Sequence, residues 1–160
     1  MKMPRRVLMF LQNKMAAVSM ARAPDFLIGG AEDPYMKRWW VIPRNNFFNI
    51  YLHQFLHSDE DRALHDHPSW NCSILLFGEY TEHTIAAGGV NHAKVYEQGD
   101  VKFRLAKTAH RIELHDGPCW SLFINGAKLR NWGFHCPKGW RPWQEFVDER
   151  DNGAVGRGCD

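Results

Sequence analysis

The stretch Leu64-His65-Asp66-His67-Pro68 places two histidines two residues apart. In a β-strand, residues i and i+2 point to the same face, so the imidazoles of His65 and His67 are expected to lie side by side, about 6–7 Å apart, where both can bind one ion. The chain contains 9 histidines, so a His-x-His pair can also arise without a function. A third ligand from a distant segment is therefore needed to predict a metal site.

The sequence on both sides of this pair has the pattern of an all-β protein. Short β-prone runs are separated by turns that contain Gly, Asp, Asn or Pro, at residues 39–42, 47–56, 70–77, 79–86, 93–97, 101–105, 110–115, 119–125 and 128–135. Short strands with a turn about every 8–12 residues are typical of a β-sandwich or barrel. The barrel is expected to span residues 37–147.

The two ends of the chain are predicted to lie outside this barrel. Residues 7–21 have apolar side chains at helical spacing, on a stripe formed by Val7, Leu8, Leu11, Met15 and Val18. Residues 1–36 are therefore interpreted as an N-terminal helix and a linker. The tail at 148–160 is polar and contains several glycines, so it is predicted to be disordered.

Composition limits the class of protein. With 160 residues, 44% hydrophobic and 24% charged, the chain is long enough for one domain with its own core. The net charge of +2 and the scattered basic residues argue against nucleic acid, and no apolar stretch is long enough to cross a membrane. Residues 1–24 are basic, so a targeting peptide stays open. The four cysteines form no CxxC pair and are interpreted as free thiols in the cytoplasm: Cys72, Cys119, Cys136 and Cys159.

Around the histidine pair, the sequence resembles the cupin superfamily. The first cupin motif has His-x-His, then Glu, then Gly, and the corresponding residues here are His65, His67, Asn71 and Gly78. The histidine of the second motif corresponds to His110, although the proline, the inner glycine and the asparagine of that motif are absent. The resemblance implies an all-β, single-domain double-stranded β-helix (a jelly-roll barrel) that binds one divalent metal ion through His65, His67 and His110.

Two further residues are candidates for this site. By strand parity Asn71 faces the metal region, where it could be a weak oxygen ligand or hold a water. His53, on the preceding strand, is a candidate partner of a ligand or a fourth ligand. Asp66 and Glu113 alternate away from the site and are expected to make surface or loop contacts. Three neutral imidazoles leave coordination positions open, which favours ligand binding or catalysis over a closed structural zinc site.

The sequence is also similar in part to cysteine dioxygenase, a three-histidine iron cupin. The His-Asp-His stretch is followed by Cys72, where that family has a cysteine cross-linked to a tyrosine. Here Phe123 and Asn125 stand near the place of the tyrosine, and strand parity turns Cys72 outward. A similarity to small bacterial and phage-associated cupins involves residues 44–49 and 132–143. Together these resemblances imply a three-histidine iron site more than a thiol substrate.

Three functions remain open from the sequence. The first is a non-haem Fe(II) dioxygenase that acts on a small organic substrate. The second is a non-catalytic module that binds a small ligand through its metal, and the third is a Zn-, Mn- or Ni-dependent isomerase or hydrolase. Imidazole suits iron, nickel, copper and zinc, so ligand softness does not decide between them. The sequence places no carboxylate at the metal to act as a general base, which argues against the third. The aromatic C-terminal segment and exposed strand edges favour a homodimer.

Overall fold

The computed structural model describes residues 1–59, 63–85, 89–148, 150, 154 and 156–160. Within these residues the chain forms helix α1 (Arg5–Ala21), a short helix α2 (Trp143–Phe146) and twelve strands. The strands are β1 (Phe26–Ile28), β2 (Met36–Trp40), β3 (Phe48–Phe55), β4 (Leu64–His65), β5 (Asn71–Phe77), β6 (Glu79–Ile85), β7 (Asn91–Glu97), β8 (Val101–Arg104), β9 (His110–Leu114), β10 (Cys119–Gly126), β11 (Gly133–Cys136) and β12 (Gly139–Pro142).

The strands form two antiparallel sheets that pack face to face. The first sheet has the order β1-β2-β3-β10-β5-β8, and the second has the order β12-β11-β4-β9-β6-β7. From β3 onward the chain passes repeatedly from one sheet to the other, which is the connectivity of a jelly roll. The predicted all-β jelly-roll fold is confirmed. Strand β1 pairs with β2 and so extends the first sheet into the segment that was interpreted as a linker.

Helix α1 covers the outer face of the first sheet. Leu8 and Met15 of the helix pack with Trp39, Leu52 and Leu122, which point away from the second sheet. The predicted helix at 7–21 is confirmed, except that Val7 is 45% exposed and takes no part in the buried stripe. Neither helix of the described residues has the length and apolar character needed to span a bilayer.

The space between the two sheets has an apolar end and a polar end. The buried side chains that form the apolar end are Met36, Phe55, Leu75, Tyr80, Ile112 and Cys119. The polar end is formed by side chains on the same strands, two or four residues away from those of the apolar end. They are also buried: His53, Asn71, Ser73, Glu82, His110 and Ser121. Because side chains alternate along a strand, both sets face the interior, and the polar end is the place to look for a site.

The C-terminal tail is attached to the second sheet by a disulfide. Cys136 on β11 and Cys159 are bonded, with a Cα–Cα distance of 5.4 Å and a sequence separation of 23 residues. Cys159 packs in a small cluster with Ala63 and Phe146, and the backbone N–H of Gly158 donates to the carbonyl of Phe146.

This attachment differs from two expectations. The interpretation of all four cysteines as free thiols is wrong for Cys136 and Cys159, although Cys72 and Cys119 are free. The hairpin β11–β12 and helix α2 turn the chain back on itself, which brings the two distant cysteines together. The described tail residues 156–160 are thus held against the barrel, in contrast to the predicted disorder.

Candidate metal centre

Three histidines converge at the polar end of the interior. His65, His67 and His110 each offer a ring nitrogen, and these nitrogens lie within 4.8 Å of one another. The Nε2 atoms of His67 and His110 are 2.8 Å apart, and the rings of His65 and His110 have centroids 4.7 Å apart. The structure therefore brings together the three histidines that the sequence suggested.

The convergence has a different cause from the one expected. His65 ends the two-residue strand β4 in the second sheet, where it pairs with His110 of β9. His67 lies in the segment that crosses to β5 in the first sheet, and its backbone N–H donates to the carbonyl of Ala106 at 3.0 Å. The two histidines are thus not neighbours on one continuous strand. The predicted alternation holds within β5 for Asn71, Ser73 and Leu75, which are buried, but not as far as Phe77, which is 41% exposed.

The surroundings of His67 and His110 favour the neutral form of the two imidazoles. Burial lowers the pKa of both His67 and His110 well below the ordinary histidine value, and the positive charges of neighbouring histidines and of Arg104 lower it further. Neutral imidazole is the form that binds metal ions. Three imidazole nitrogens around one point fit a divalent metal ion, and they leave coordination positions open for other ligands.

Two carboxylates lie behind the ligand rings, on the side away from the shared point. Oε1 of Glu82 is 2.9 Å from Nδ1 of His110, and Oδ2 of Asp59 is 3.7 Å from Nδ1 of His65. The sequence-based expectation that no carboxylate lies near the site is therefore wrong. These carboxylates contact the ligand rings rather than the position that the three nitrogens share.

Glu82 belongs to a buried group of charges that the sequence analysis missed. Arg104 contacts its Oε1 through Nη2, and Nζ of Lys102 is 3.5 Å from the same oxygen. Nη1 of Arg104 also donates to Oδ1 of Asn71 at 3.3 Å. The carbonyl of Asn71 thus faces Arg104 rather than the histidines, while Nδ2 of Asn71 has no hydrogen-bond partner among the described residues. Asn71 is fully buried but is outside the group of converging ligand atoms.

His53 is also buried in the interior but is outside the group of converging ligand atoms. Nε of Arg38 donates to Nε2 of His53 at 2.9 Å. The ring of Phe123 lies between the two regions, 5.1 Å from the ring of His53 and 5.8 Å from that of His67. Burial, with the charge of Arg38, lowers the pKa of His53 well below its ordinary value.

Arg38 is a further residue that the sequence analysis missed. Burial lowers its pKa to about 10, and the guanidinium lies over the ring of Tyr51 at 5.0 Å. Among the described residues, no carboxylate pairs with this guanidinium. Nothing in the sequence marks Arg38, because a basic residue in a short strand next to Lys37 is equally consistent with a solvent-facing position.

Of the surface or loop contacts expected for Asp66, the loop contact is present, but the residue is buried and not on the surface. Its side chain is 2% exposed, accepts hydrogen bonds from the backbone N–H of Gly133 (2.9 Å) and from Nε1 of Trp140 (3.1 Å), and pairs with Arg130 at 2.8 Å. The crossover after β4 turns this residue toward the β11–β12 hairpin, so Asp66 anchors the segment between two candidate ligands. The expectation for Glu113 is confirmed, because its half-exposed side chain pairs with His83 on the outer face.

Comparisons with known proteins identify the fold. No protein-family model matches the chain, and no curated protein matches it. Among solved structures, oxalate decarboxylase from Bacillus subtilis with Mn(II) centres matches at a TM-score of 0.50 and 18% identity, over 71% of this chain and 30% of that one. The fold is that of the cupins. The formate complex of oxalate decarboxylase from Lactobacillus farciminis matches at 0.50 and 18% identity, over 66% and 32% of the two chains.

A third cupin structure, the Fe(II) form of HppE with an alternative substrate, matches at a TM-score of 0.50 and 16% identity, over 65% of this chain and 58% of that one. This chain therefore spans about a third of the oxalate decarboxylase chains and somewhat more than half of HppE. At these identities the likeness establishes the fold alone. The partial similarity to cysteine dioxygenase finds no counterpart in these matches, and Cys72 on β5 alternates with the buried side chains of Asn71 and Ser73.

Proposed function

We propose that this cupin is a metal-dependent enzyme, a non-haem Fe(II) dioxygenase that acts on a small organic anion. The observation that carries this proposal is the convergence of three imidazoles at the polar end of the barrel. His65, His67 and His110 would hold the ion. A bound Fe(II) would supply open coordination positions for the substrate and for O₂.

Two observations limit the choice of metal, and Fe(II) is the ion that we propose. A three-nitrogen set without a thiolate or a fourth protein ligand is unlike a closed structural zinc site. Cupins of the same fold include a protein with Mn(II) centres and one with Fe(II), so these are the first metals to compare. Manganese, nickel and zinc are the alternatives that metal analysis must separate.

The charge of the interior supports an anionic substrate. The interior contains three basic side chains, Arg38, Lys102 and Arg104, and burial lowers the pKa of Lys102 to about 7. Arg104 and Lys102 already share Glu82, whereas Arg38 has no acidic partner among the described residues. A guanidinium binds a carboxylate in a bidentate manner, and burial strengthens that interaction. We infer that Arg38 binds a carboxylate or a similar oxyanion of the substrate.

The remaining residues of this end orient and shield the reacting groups. The ring of Phe123 separates His67 from His53 and gives the site one apolar wall. Phe134 and Trp132 lie near His65, with ring centroids 6.0 Å and 6.4 Å away, and give it another. Apolar walls exclude water and strengthen the electrostatic contacts made inside them.

The test begins with elemental analysis of protein purified without a chelator or a histidine tag. Iron, together with O₂ consumption on a panel of small carboxylates that carry a thiol, catechol or diketone group, is the expected result. Arg38→Gln is expected to raise KM by 10-fold or more for carboxylate substrates while the metal content stays at the wild-type level. Lys37→Gln, on the outward side of the same strand, is the matched control. Metal retention without turnover of any of these compounds contradicts the proposal and favours a non-catalytic binding module.

A further inference from the structure

We propose that Glu82 is a positioning residue of the metal site, which holds His110 by its Nδ1 so that Nε2 faces the ion. The inference rests on the proposed metal-binding function. It adds a residue that is neither a ligand nor part of the motifs that suggested the site.

The two nitrogens of His110 have separate surroundings. Nε2 lies 2.8 Å from Nε2 of His67 and points into the group of ligand atoms, whereas Nδ1 lies 2.9 Å from Oε1 of Glu82 on the opposite side of the ring. Nδ1 forms no hydrogen bond within the described residues, and the carboxylate of Glu82, at 2.9 Å, is the acceptor placed to take one from it. A histidine ligand in proteins regularly donates its second ring N–H to a carboxylate, which fixes the tautomer and the orientation of the ring.

The strand pairing explains why Glu82 and His110 meet. Residues of β6 and β9 are in antiparallel register, with Thr84 opposite His110 and Glu82 opposite Ile112. Glu82 is therefore diagonal to His110 on the same inward face, at a distance that a long side chain can cover. Asp in this position would be too short by about one methylene.

Glu82 is itself held in place and cannot move to the metal as a fourth ligand. Its side chain is 5% exposed, and Arg104 and Lys102 both contact the oxygen that faces His110. A buried carboxylate with two cations on it is strongly bound to its site, because separating them would leave charges unpaired in the interior. The carboxylate thus acts on the metal only through the ring of His110.

The buried charges around Glu82 have a role in metal binding under this proposal. Hydrogen bonding of Nδ1–H to a carboxylate raises the basicity of Nε2 and so strengthens the bond from Nε2 to a metal. Loss of such a partner typically weakens metal affinity by about 10–100-fold. Arg104 links the same network to Asn71, so that one guanidinium contacts both Glu82 and Asn71.

The experiment compares variants of two carboxylates that each contact a histidine. Glu82→Asp keeps a negative charge in the interior but shortens the side chain that reaches His110 by one methylene, and Glu82→Gln keeps the length and removes the charge. Glu113→Gln is the matched control, because Glu113 lies 2.7 Å from Nε2 of His83 on the outer face. The probe is Co(II) alone, titrated into the full-length protein, with the dissociation constant and the visible absorption spectrum of the bound ion as the two readouts.

Both Glu82 variants are expected to bind Co(II) at least 10-fold more weakly and with an altered spectrum, while Glu113→Gln matches the wild type. A folded Glu82→Asp protein with wild-type affinity and spectrum would overturn the assignment. If the wild type itself binds neither Co(II) nor another divalent ion, the proposed function fails as well, which distinguishes the two failures.

A second measurement does not depend on folded variants. In the wild-type protein loaded with Zn(II), nitrogen-15 NMR of the histidine rings is expected to show a proton on Nδ1 of His110, shifted downfield by the carboxylate. An unprotonated Nδ1, or a proton at the position typical of a water-exposed ring, contradicts the role of Glu82.

Discussion

The apolar and polar ends of the barrel interior are built by the same strands, yet they contain opposite kinds of side chain. Strand β9 contributes His110 to one end and Ile112 to the other, and β6 contributes Glu82 and Tyr80 in the same way. At the apolar end Leu75 is fully buried, and at the polar end His110 is only 3% exposed. The two ends are therefore buried to the same extent, although one is apolar and the other is polar.

The apolar end stabilises the fold, whereas burial of polar groups at the other end costs stability. Burial of an apolar side chain such as Leu75 contributes about 1.5–3 kcal/mol to folding. Burial of imidazoles, carboxylates and guanidiniums costs free energy unless each is paired. A barrel that needed only stability would continue the apolar packing to both ends, so the polar end is the functional one.

The largest expected effect comes from removal of a ligand at the polar end. His67→Ala is expected to weaken divalent metal binding on the order of a thousandfold, about 4 kcal/mol, because one of three donors is lost. The unfolding free energy of the metal-free protein should change little. Isothermal titration with Co(II) and urea unfolding measure the two quantities. His57→Ala, at an exposed histidine, is the control, and equal loss of affinity in that variant would show that His67 is not a ligand.

A substitution at the apolar end should give the opposite result. Leu75→Ala is expected to lower the unfolding free energy by about 2–5 kcal/mol, because it leaves a cavity in a fully buried cluster. Metal affinity of the folded protein should remain within a few-fold of the wild type. If urea unfolding shows no loss while metal affinity falls, the separation of the two ends is not valid.

Much of the polar end could be foreseen from the sequence, because the spacing of three of the 9 histidines matches a known motif. Glu82 could not. Its strand has polar residues at Thr81 and His83 as well as at Glu82 and Thr84, so alternation of polarity does not tell which face is inward. Only the pairing of β6 with β9 shows that Glu82 shares a face with His110.

The errors elsewhere have the same origin in tertiary structure. Asp66 was placed on the surface because strand parity was extended through a segment that crosses between sheets. Cys136 and Cys159 were taken as free because their separation of 23 residues shows no pattern until the hairpin and helix α2 bring them together. Alternation of polar and apolar residues predicted the strands well, but it does not predict the path of the connections between strands.

A third prediction concerns the disulfide, which lies behind the polar end. Phe134, two residues before Cys136, stacks on Phe146 at 3.6 Å and lies 6.0 Å from the ring of His65. The paired variant Cys136→Ser with Cys159→Ser is expected to lower the unfolding free energy by up to about 3 kcal/mol, because a loop of this length is no longer closed in the unfolded chain. Metal affinity should fall by no more than a few-fold. Cys72→Ser is the control, and a larger loss of metal affinity than of stability would place the disulfide within the site.

The smallest expected effect is the pH dependence of the unfolding free energy, which should come from the polar end and not from the apolar end. The pKa values of His53 and His110 are lowered in the folded protein by burial, whereas in the unfolded chain they return to about 6.5. Below that pH the unfolded state binds more protons, so folding stability is present above pH 6.5 and is lost as the pH falls. Each of these histidines should contribute a slope of up to about 1.4 kcal/mol per pH unit to the metal-free protein. Urea unfolding at pH 7.5, 6.5 and 5.5 measures this slope.

Two variants test where the slope comes from. His53→Gln should remove the contribution of one histidine. Leu75→Ala should lower the unfolding free energy at every pH and leave the slope unchanged, since no proton is taken up at the apolar end. An unchanged slope in His53→Gln would mean that this imidazole is already charged in the fold, and it would then need an anion beside it, where the structure places the guanidinium of Arg38.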